Sequence, residues 1–263
     1  MRYFLELAYD GSAFHGWQRQ PNAISVQERI EDSLSILLRT STPIVGAGRT
    51  DTGVNARRMY AHFDSDHPIA DAAAFLRGIN RLCGREIAIR RLIPVADDAH
   101  ARFDATRRTY RYFVTFEKSP FLRHMSWQSP SPLAIDAMNE AAAILLHTDD
   151  FTSFAKLHSD AKTNICRVDT ALWEPWHNDF GIPGIQFTIA ADRFLRNMVR
   201  AVVGTLVNVG RGKLDIDGFQ RVVEAKDRCS AGTSMPAEAL FLWDVEYPYI
   251  QNQHSPKTQN TLL

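Results

Sequence analysis

Apolar and polar residues alternate from the start of the chain, in Arg2-Tyr3-Phe4-Leu5-Glu6-Leu7, and this period of two predicts a strand over residues 2–9. The pattern then changes. Ser25 with Glu28 three positions on forms a capping box, and Val26, Ile30, Leu34, Leu37 and Leu38 share one face of the helix that follows. Strands are predicted near 43–47 and 57–64. A second helix over 71–83 turns Phe75, Leu76, Ile79 and Leu82 inward, and a strand over 86–94 follows it. The order β-α-β-β-α-β is the split βαβ pattern of ferredoxin-like folds.

The same rhythm returns in the second half. A strand over 107–117 places Tyr110, Tyr112, Val114 and Phe116 on one face, and a helix over 133–147 turns Ile135, Met138 and Leu145 inward. Strands over 165–173 and 184–190, helices over 194–208 and 216–225, and a strand over 239–247 complete it. The expectation is therefore an α+β protein of two ferredoxin-like domains with largely antiparallel sheets. Their boundary falls within 96–105, dividing the chain into domains 1–100 and 101–250 and a polar tail, 251–263, expected to be disordered.

Composition narrows the classes. The chain has 263 residues, enough for one large or two modest cores. Every apolar run is broken by Asp, Arg or Gly before it could cross a bilayer, and the strand at the N-terminus leaves no room for a signal peptide. Cys83, Cys166 and Cys229 lack disulfide or metal-ligand spacing, which points to a reducing cytoplasm. No histidine forms an i,i+4 pair with a carboxylate of the kind that suggests zinc, and no glycine-rich phosphate loop ends in Lys-Ser or Lys-Thr. Neither a metal nor any other cofactor is expected.

Thirty basic and thirty acidic residues cancel, so total charge argues for no particular partner. The arginines cluster nonetheless, as Arg57-Arg58, Arg90-Arg91, Arg107-Arg108 with Arg111, and Arg193 with Arg196 and Arg200. Phosphate binding needs a local basic surface rather than a basic total.

The candidate chemistry lies in Gly46-Ala47-Gly48-Arg49-Thr50-Asp51-Thr52-Gly53-Val54-Asn55-Ala56. Glycines bracket one carboxylate where the chain turns between two predicted strands. Beside Arg49, Asp51 stays ionised and available as nucleophile or base. The competing interpretation is an Asx-type turn in which Asp51 bonds its own backbone.

Gly48-Arg49-Thr50-Asp51 with Gly53-Val54 resembles the active-site motif of the tRNA pseudouridine synthase A family. Tyr9-Asp10-Gly11-Ser12 through Trp17-Gln18-Arg19-Gln20 is similar to its N-terminal signature, and Ser25-Val26-Gln27-Glu28 follows at a suitable distance. Phe103-Asp104-Ala105-Thr106-Arg107-Arg108-Thr109-Tyr110 resembles its tyrosine motif, and Phe194-Leu195-Arg196-Asn197-Met198-Val199-Arg200 with Gly204 its arginine motif. The matches run in order over most of the chain. Asn55 stands where many members have histidine, and Ala239 where glycine is common.

The resemblance implies an RNA-modifying isomerase, a homodimer with tRNA as partner, that converts uridine to pseudouridine at positions 38, 39 and 40 of the anticodon stem-loop. It implies catalytic roles for Asp51 and Arg200, with Arg200 pairing the carboxylate. It implies substrate contacts from Tyr110 as a stacking platform, from Arg49 and from Leu240, and backbone contacts from Arg57, Arg58, Arg107, Arg108 and Arg196. On periodicity alone, Tyr110 and Leu240 are core residues, and Arg196, Arg200 and Gly204 are one solvent-facing strip of a helix. Two rival functions share the scaffold: a non-catalytic RNA-binding protein, and an Asp-dependent glycosidase that would release free uracil.

Overall fold

Ser25 caps α1 (Val26–Leu38): its Oγ accepts from the Glu28 N–H at 3.2 Å, while the Glu28 carboxylate faces Arg19 at 3.7 Å. The computed structural model describes residues 1–156 and 162–250. The first half runs β1 (Arg2–Tyr9), α1, β2 (Val45–Gly46), β3 (Asn55–Asp64), α2 (Ala72–Cys83) and β4 (Ile87–Val95). The second runs β5 (Arg107–Thr115), β6 (Trp127–Gln128), α3 (Ile135–Ile144), β7 (Val168–Pro175), β8 (Gly184–Ala191), α4 (Met198–Gly210), α5 (Ile216–Glu224) and β9 (Leu240–Glu246). The expected tail lies outside the described residues.

The strands form one sheet of nine, in the order β4-β1-β3-β9-β5-β8-β7, with β2 on β3 and β6 on β5. Most neighbours are antiparallel, and the two halves meet where β3 runs parallel to β9 through Asn55–Phe241 and Ala56–Leu242. The free edge of β3 is divided at this seam. β2 takes His62 and Ala61, whereas β9 takes Asn55 and Ala56. The strand expected over 43–47 is therefore only two residues long, since Pro43 offers no N–H and β9 occupies the rest of the edge. The chain between β2 and β3, which carries Asp51, is thus delivered to the join between the halves.

Two cores lie under the helices. One gathers β1, β3, α1 and α2 side chains around Leu5, Leu7, Met59, Phe63, Ile30 and Ile79. The other gathers Tyr112, Phe187, Ile189, Met138, Val202, Leu206 and Phe219. Tyr110 packs against both, which fixes its position at the seam. On the opposite sheet face, Arg58 reaches Glu6 at 3.4 Å and Asp244 at 3.0 Å, and Arg91 reaches Glu6 at 3.1 Å. Those ion pairs cross from β1, β3 and β4 to β9 and tie the halves together.

Two expectations change in detail. Helix α4 begins at Met198 rather than at 194, because Asn197 adopts a left-handed backbone with φ 64°. Arg196 consequently lies on the preceding turn and shares no helical strip with Arg200. The sequence also leaves Phe121, Leu122 and Trp127 open between a subunit interface and the core; Leu122 is buried and Trp127 packs partly against the core. Phe121 is 70 % exposed and stacks on Phe180.

Candidate active site

Backbone packing holds the Asp51 loop. A Cβ on Gly11 would sit 2.2 Å from the Val54 carbonyl oxygen, and one on Gly16 2.6 Å from that of Thr50, so both glycines are there to let the loop close in. Trp17 N–H donates to Thr50 O at 3.2 Å, and the Tyr9 and Thr50 hydroxyls meet at 2.8 Å. The Asp51 carbonyl accepts from Val54 N–H at 3.1 Å and closes the turn through Gly53, whose φ is +78°. The turn is thus closed by the Asp51 backbone. Among the described residues its carboxylate meets arginines instead: Arg196 Nε lies 3.4 Å from Oδ1 and Arg200 Nη1 3.9 Å from Oδ2.

The two arginines are held differently. Arg196 is exposed, whereas Arg200 is clamped in the first turn of α4 by the segment before β9. Arg200 Nε donates to Met235 O at 2.5 Å, and Met235 N–H donates to Arg200 O at 3.1 Å. That segment lies on the helix because position 204 has no side chain: a Cβ there would fall 1.9 Å from Thr233 O. Gly232 N–H donates to Thr205 Oγ1 at 2.9 Å, and Asn197 Nδ2 donates to Ser234 Oγ at 2.6 Å. Gly204 therefore admits this strap and thereby positions Arg200. Sequence reasoning missed the strap; the pair Gly204 and Gly232 was its only local signal.

Tyr110 stands edge-on to Phe194, with ring centroids 5.0 Å apart. Burial pushes its phenol up to about 12, opposed by Arg108 and assisted by the negative charge of Asp51. The hydroxyl is therefore protonated at neutral pH and cannot serve as a ready base. Leu240 is buried at the start of β9, opposite Tyr112 in β5.

Asn55 proves central to the loop. It is 3 % exposed, and its Oδ1 accepts from Gly11 N–H at 2.8 Å. Its Nδ2 donates to Glu238 O at 2.8 Å and, more weakly, to His124 O at 3.4 Å. One amide thus joins the Asp51 loop, the N-terminal turn and the strap. Ala239, the other departure, is fully buried, and its carbonyl accepts from Phe113 N–H at 3.0 Å.

The remaining arginines divide sharply. Arg107 grips Asp169 with two bonds of 2.8 and 2.6 Å and reaches Glu246 at 3.0 Å. Arg108 donates to the carbonyls of Ala47, Arg102, Ala105 and Asp192. With Arg58 buried in its ion pairs, these three guanidiniums hold the protein together rather than face an open groove. Arg57 lies over the Trp243 ring, 4.7 Å from its centroid, beside Arg111 on the same ring. Arg49 and Arg196 are exposed near Asp51. Among the described residues, no group of three or more His, Cys, Asp or Glu side chains is placed to hold a metal ion, and no helix is long and apolar enough to cross a membrane.

Comparison with known proteins agrees with this arrangement. A family model described as tRNA pseudouridine synthase matches residues 141–248. The tRNA pseudouridine synthase A of Parabacteroides distasonis is 56 % identical over 247 residues, covering 94 % of this chain and 96 % of that protein. The protein of the same name from Bacteroides thetaiotaomicron is 51 % identical over 262 residues, covering 100 % of this chain and 96 % of the relative. The one from Bacillus subtilis is 37 % identical, over 94 % of this chain and 99 % of its own length. Identity of this extent, over chains of matching length, leaves one conclusion: the chain belongs to the tRNA pseudouridine synthase A family.

Proposed function

We propose that this protein isomerises uridine to pseudouridine at positions 38, 39 and 40 of the tRNA anticodon stem-loop, with Asp51 as the essential carboxylate. The observation that carries this is the placement of one carboxylate against Arg196 and Arg200, at the seam where Tyr110 also lies. The reaction breaks the C1′–N1 bond, turns the uracil, forms C5–C1′ and moves the C5 proton to N1. Composition and mass are unchanged. Asp51 starts it, either by attacking C1′ or C6 or by deprotonating the ribose. Arg200 holds the carboxylate in place, since a guanidinium keeps its charge throughout. The Tyr110 ring replaces the stacking that the extruded base loses, and Leu240 lines the pocket. The Tyr110 phenol, which burial keeps protonated at neutral pH, stands ready as a hydrogen-bond donor.

The wider reading is of two ferredoxin-like domains, 1–100 and 101–250, in a cytoplasmic homodimer. For the two domains the support is the strand order: β4-β1-β3 with β2 on β3, and then β9-β5-β8-β7, repeat one arrangement along the chain. Of the proposed phosphate contacts, Arg196 has the exposure the role requires, and Arg57 lies over the Trp243 ring. The deciding experiment incubates purified protein with unmodified tRNA and no added cofactor, then digests the tRNA to nucleosides. Pseudouridine at the stated positions is expected. Unchanged uridine would leave only an RNA-binding protein, and free uracil would indicate a glycosidase.

A further inference from the structure

A cleft of about 230 Å³ opens beside the Asp51 loop, between Trp17, Gln18, Val45, Gly48, Arg49 and Arg102. Its walls are built rather than incidental. Trp17 is 2 % exposed and is packed so closely on Gly46 that a Cβ there would fall 2.5 Å from the indole. Val45 presents an exposed apolar wall. Arg108 fixes the width from beneath, since its Nη2 donates to Ala47 O at 3.1 Å and to Arg102 O at 2.7 Å. That clamp joins the two chain segments on which Gly48 and Arg102 stand.

The charges at the rim are of the uncommitted kind. Among the described residues neither Arg49 nor Arg102 forms an ion pair, in contrast to Arg58 and Arg107. Arg102 lies only against the ring of Phe103. Two such guanidiniums at the mouth of a part-apolar cleft suit a ligand with a flat base and a phosphate. A larger hollow, about 810 Å³, lies along α1, but there Arg19 is already paired with Glu31 and Asp32, which leaves Arg39 as its one guanidinium outside those pairs. Position decides the rest. Gly48 is three residues from Asp51, within about 10 Å along the chain, so an occupant of the cleft is close to a uridine held at Asp51.

We propose that this cleft binds a second unstacked nucleotide of the tRNA, one that neighbours the target uridine. Its base rests against the wall of Val45 and the Trp17 floor, and its phosphate lies between Arg49 and Arg102. The proposal rests on the tRNA reading above. It adds that the protein opens the strand at more than the reacting base, at a site distinct from Tyr110 and Arg200.

Gly48 provides the test. Its φ lies outside the left-handed region, and a Cβ there meets nothing within 4 Å, so Gly48→Leu adds a side chain to the lining of the cleft without a clash at Cβ. Turnover of an anticodon stem-loop by the wild-type protein is compared with that by Gly48→Leu, using the intact stem-loop and stem-loops abasic at each nucleotide flanking the target. For Gly48→Leu, KM should rise about tenfold with kcat within about twofold, in keeping with the loss of one bound base. One abasic stem-loop should show the same rise with wild-type protein and no further rise with Gly48→Leu. Arg102→Gln, at an exposed position, should raise KM and lower the salt dependence of binding by about one phosphate, which keeps the test open should Gly48→Leu misfold. Unchanged KM in both variants, or abasic and variant losses that simply multiply, would overturn the second-nucleotide site. Absence of pseudouridine from wild-type reactions would instead remove the function itself.

Discussion

The two sides of the active site are built by opposite means. Asp51 sits on a glycine-bracketed loop whose place is set by backbone contacts to Gly11, Gly16 and Trp17. Arg200 sits on a helix buried along nearly its whole length and is clamped by the strap at Met235. In the proposed mechanism the carboxylate approaches the bound uridine, and a loop gives that reach. The guanidinium must not move when charge develops, and a buried helix gives that stiffness. Asn55 is where the two constructions touch, since its amide bonds the N-terminal turn on one side and the strap at Glu238 on the other. A reactive group can therefore stand on a flexible-looking segment when buried hydrogen bonds make that segment rigid.

This contrast can be broken at four points. The largest effect is expected at the carboxylate. Asp51→Asn keeps the loop's shape but removes the charge, so single-turnover pseudouridine formation should fall by about a thousandfold or more, with tRNA affinity retained in a filter-binding assay. Normal turnover would end the mechanism. On the helix side, Gly204→Ala forces Cβ into Thr233 O and displaces the strap, at a cost of about 1–3 kcal/mol. Its kcat should fall about tenfold to a hundredfold while KM changes little, because Arg200 loses Met235 but the RNA surface stays. Equal losses in stability and no change in kcat would show that the strap has only a structural role.

Smaller changes are expected at the joint. Asn55→Ala leaves the Gly11 N–H and the Glu238 carbonyl without their partner, which should lower unfolding stability by about 1–3 kcal/mol in urea titrations. Asn55→His offers one acceptor and one donor nitrogen and should restore part of that loss. A wild-type unfolding curve for Asn55→Ala would remove Asn55 from the joint. The smallest effect on turnover is remote from the chemistry. Burial, with Arg2 and His100 adding to it against the opposing Asp64 and Asp104, lowers His62 from 6.5 to about 4, and its Nδ1 accepts from Ala101 N–H at 3.0 Å. The unfolded chain then binds more protons than the folded one between those values. Stability is full above about pH 6.5 and falls as the pH drops toward 4. Denaturant midpoints for His62→Gln should vary less with pH over that window than those of the wild-type protein.

Much of this protein was legible without coordinates. The periods of two and 3.6 residues located nearly every strand and helix, and Ser25 with Glu28 marked the start of α1. The glycines around Asp51 announced a constrained loop, and the ordered motifs pointed to the family. Such signals are local: each is carried by residues within a few positions of one another. The tertiary structure decided what depends on distant partners. Asn197 turned Arg196 off the helix because Ser234 was there to hold it. Arg107 closed on Asp169 and Glu246 at the surface, and Arg58 on Glu6 and Asp244 in the interior, so these basic residues became ties within the protein. Nothing in the spacing of arginines distinguishes these from Arg49 and Arg102, because a side chain's charge is local to the sequence while its partner is chosen by the fold.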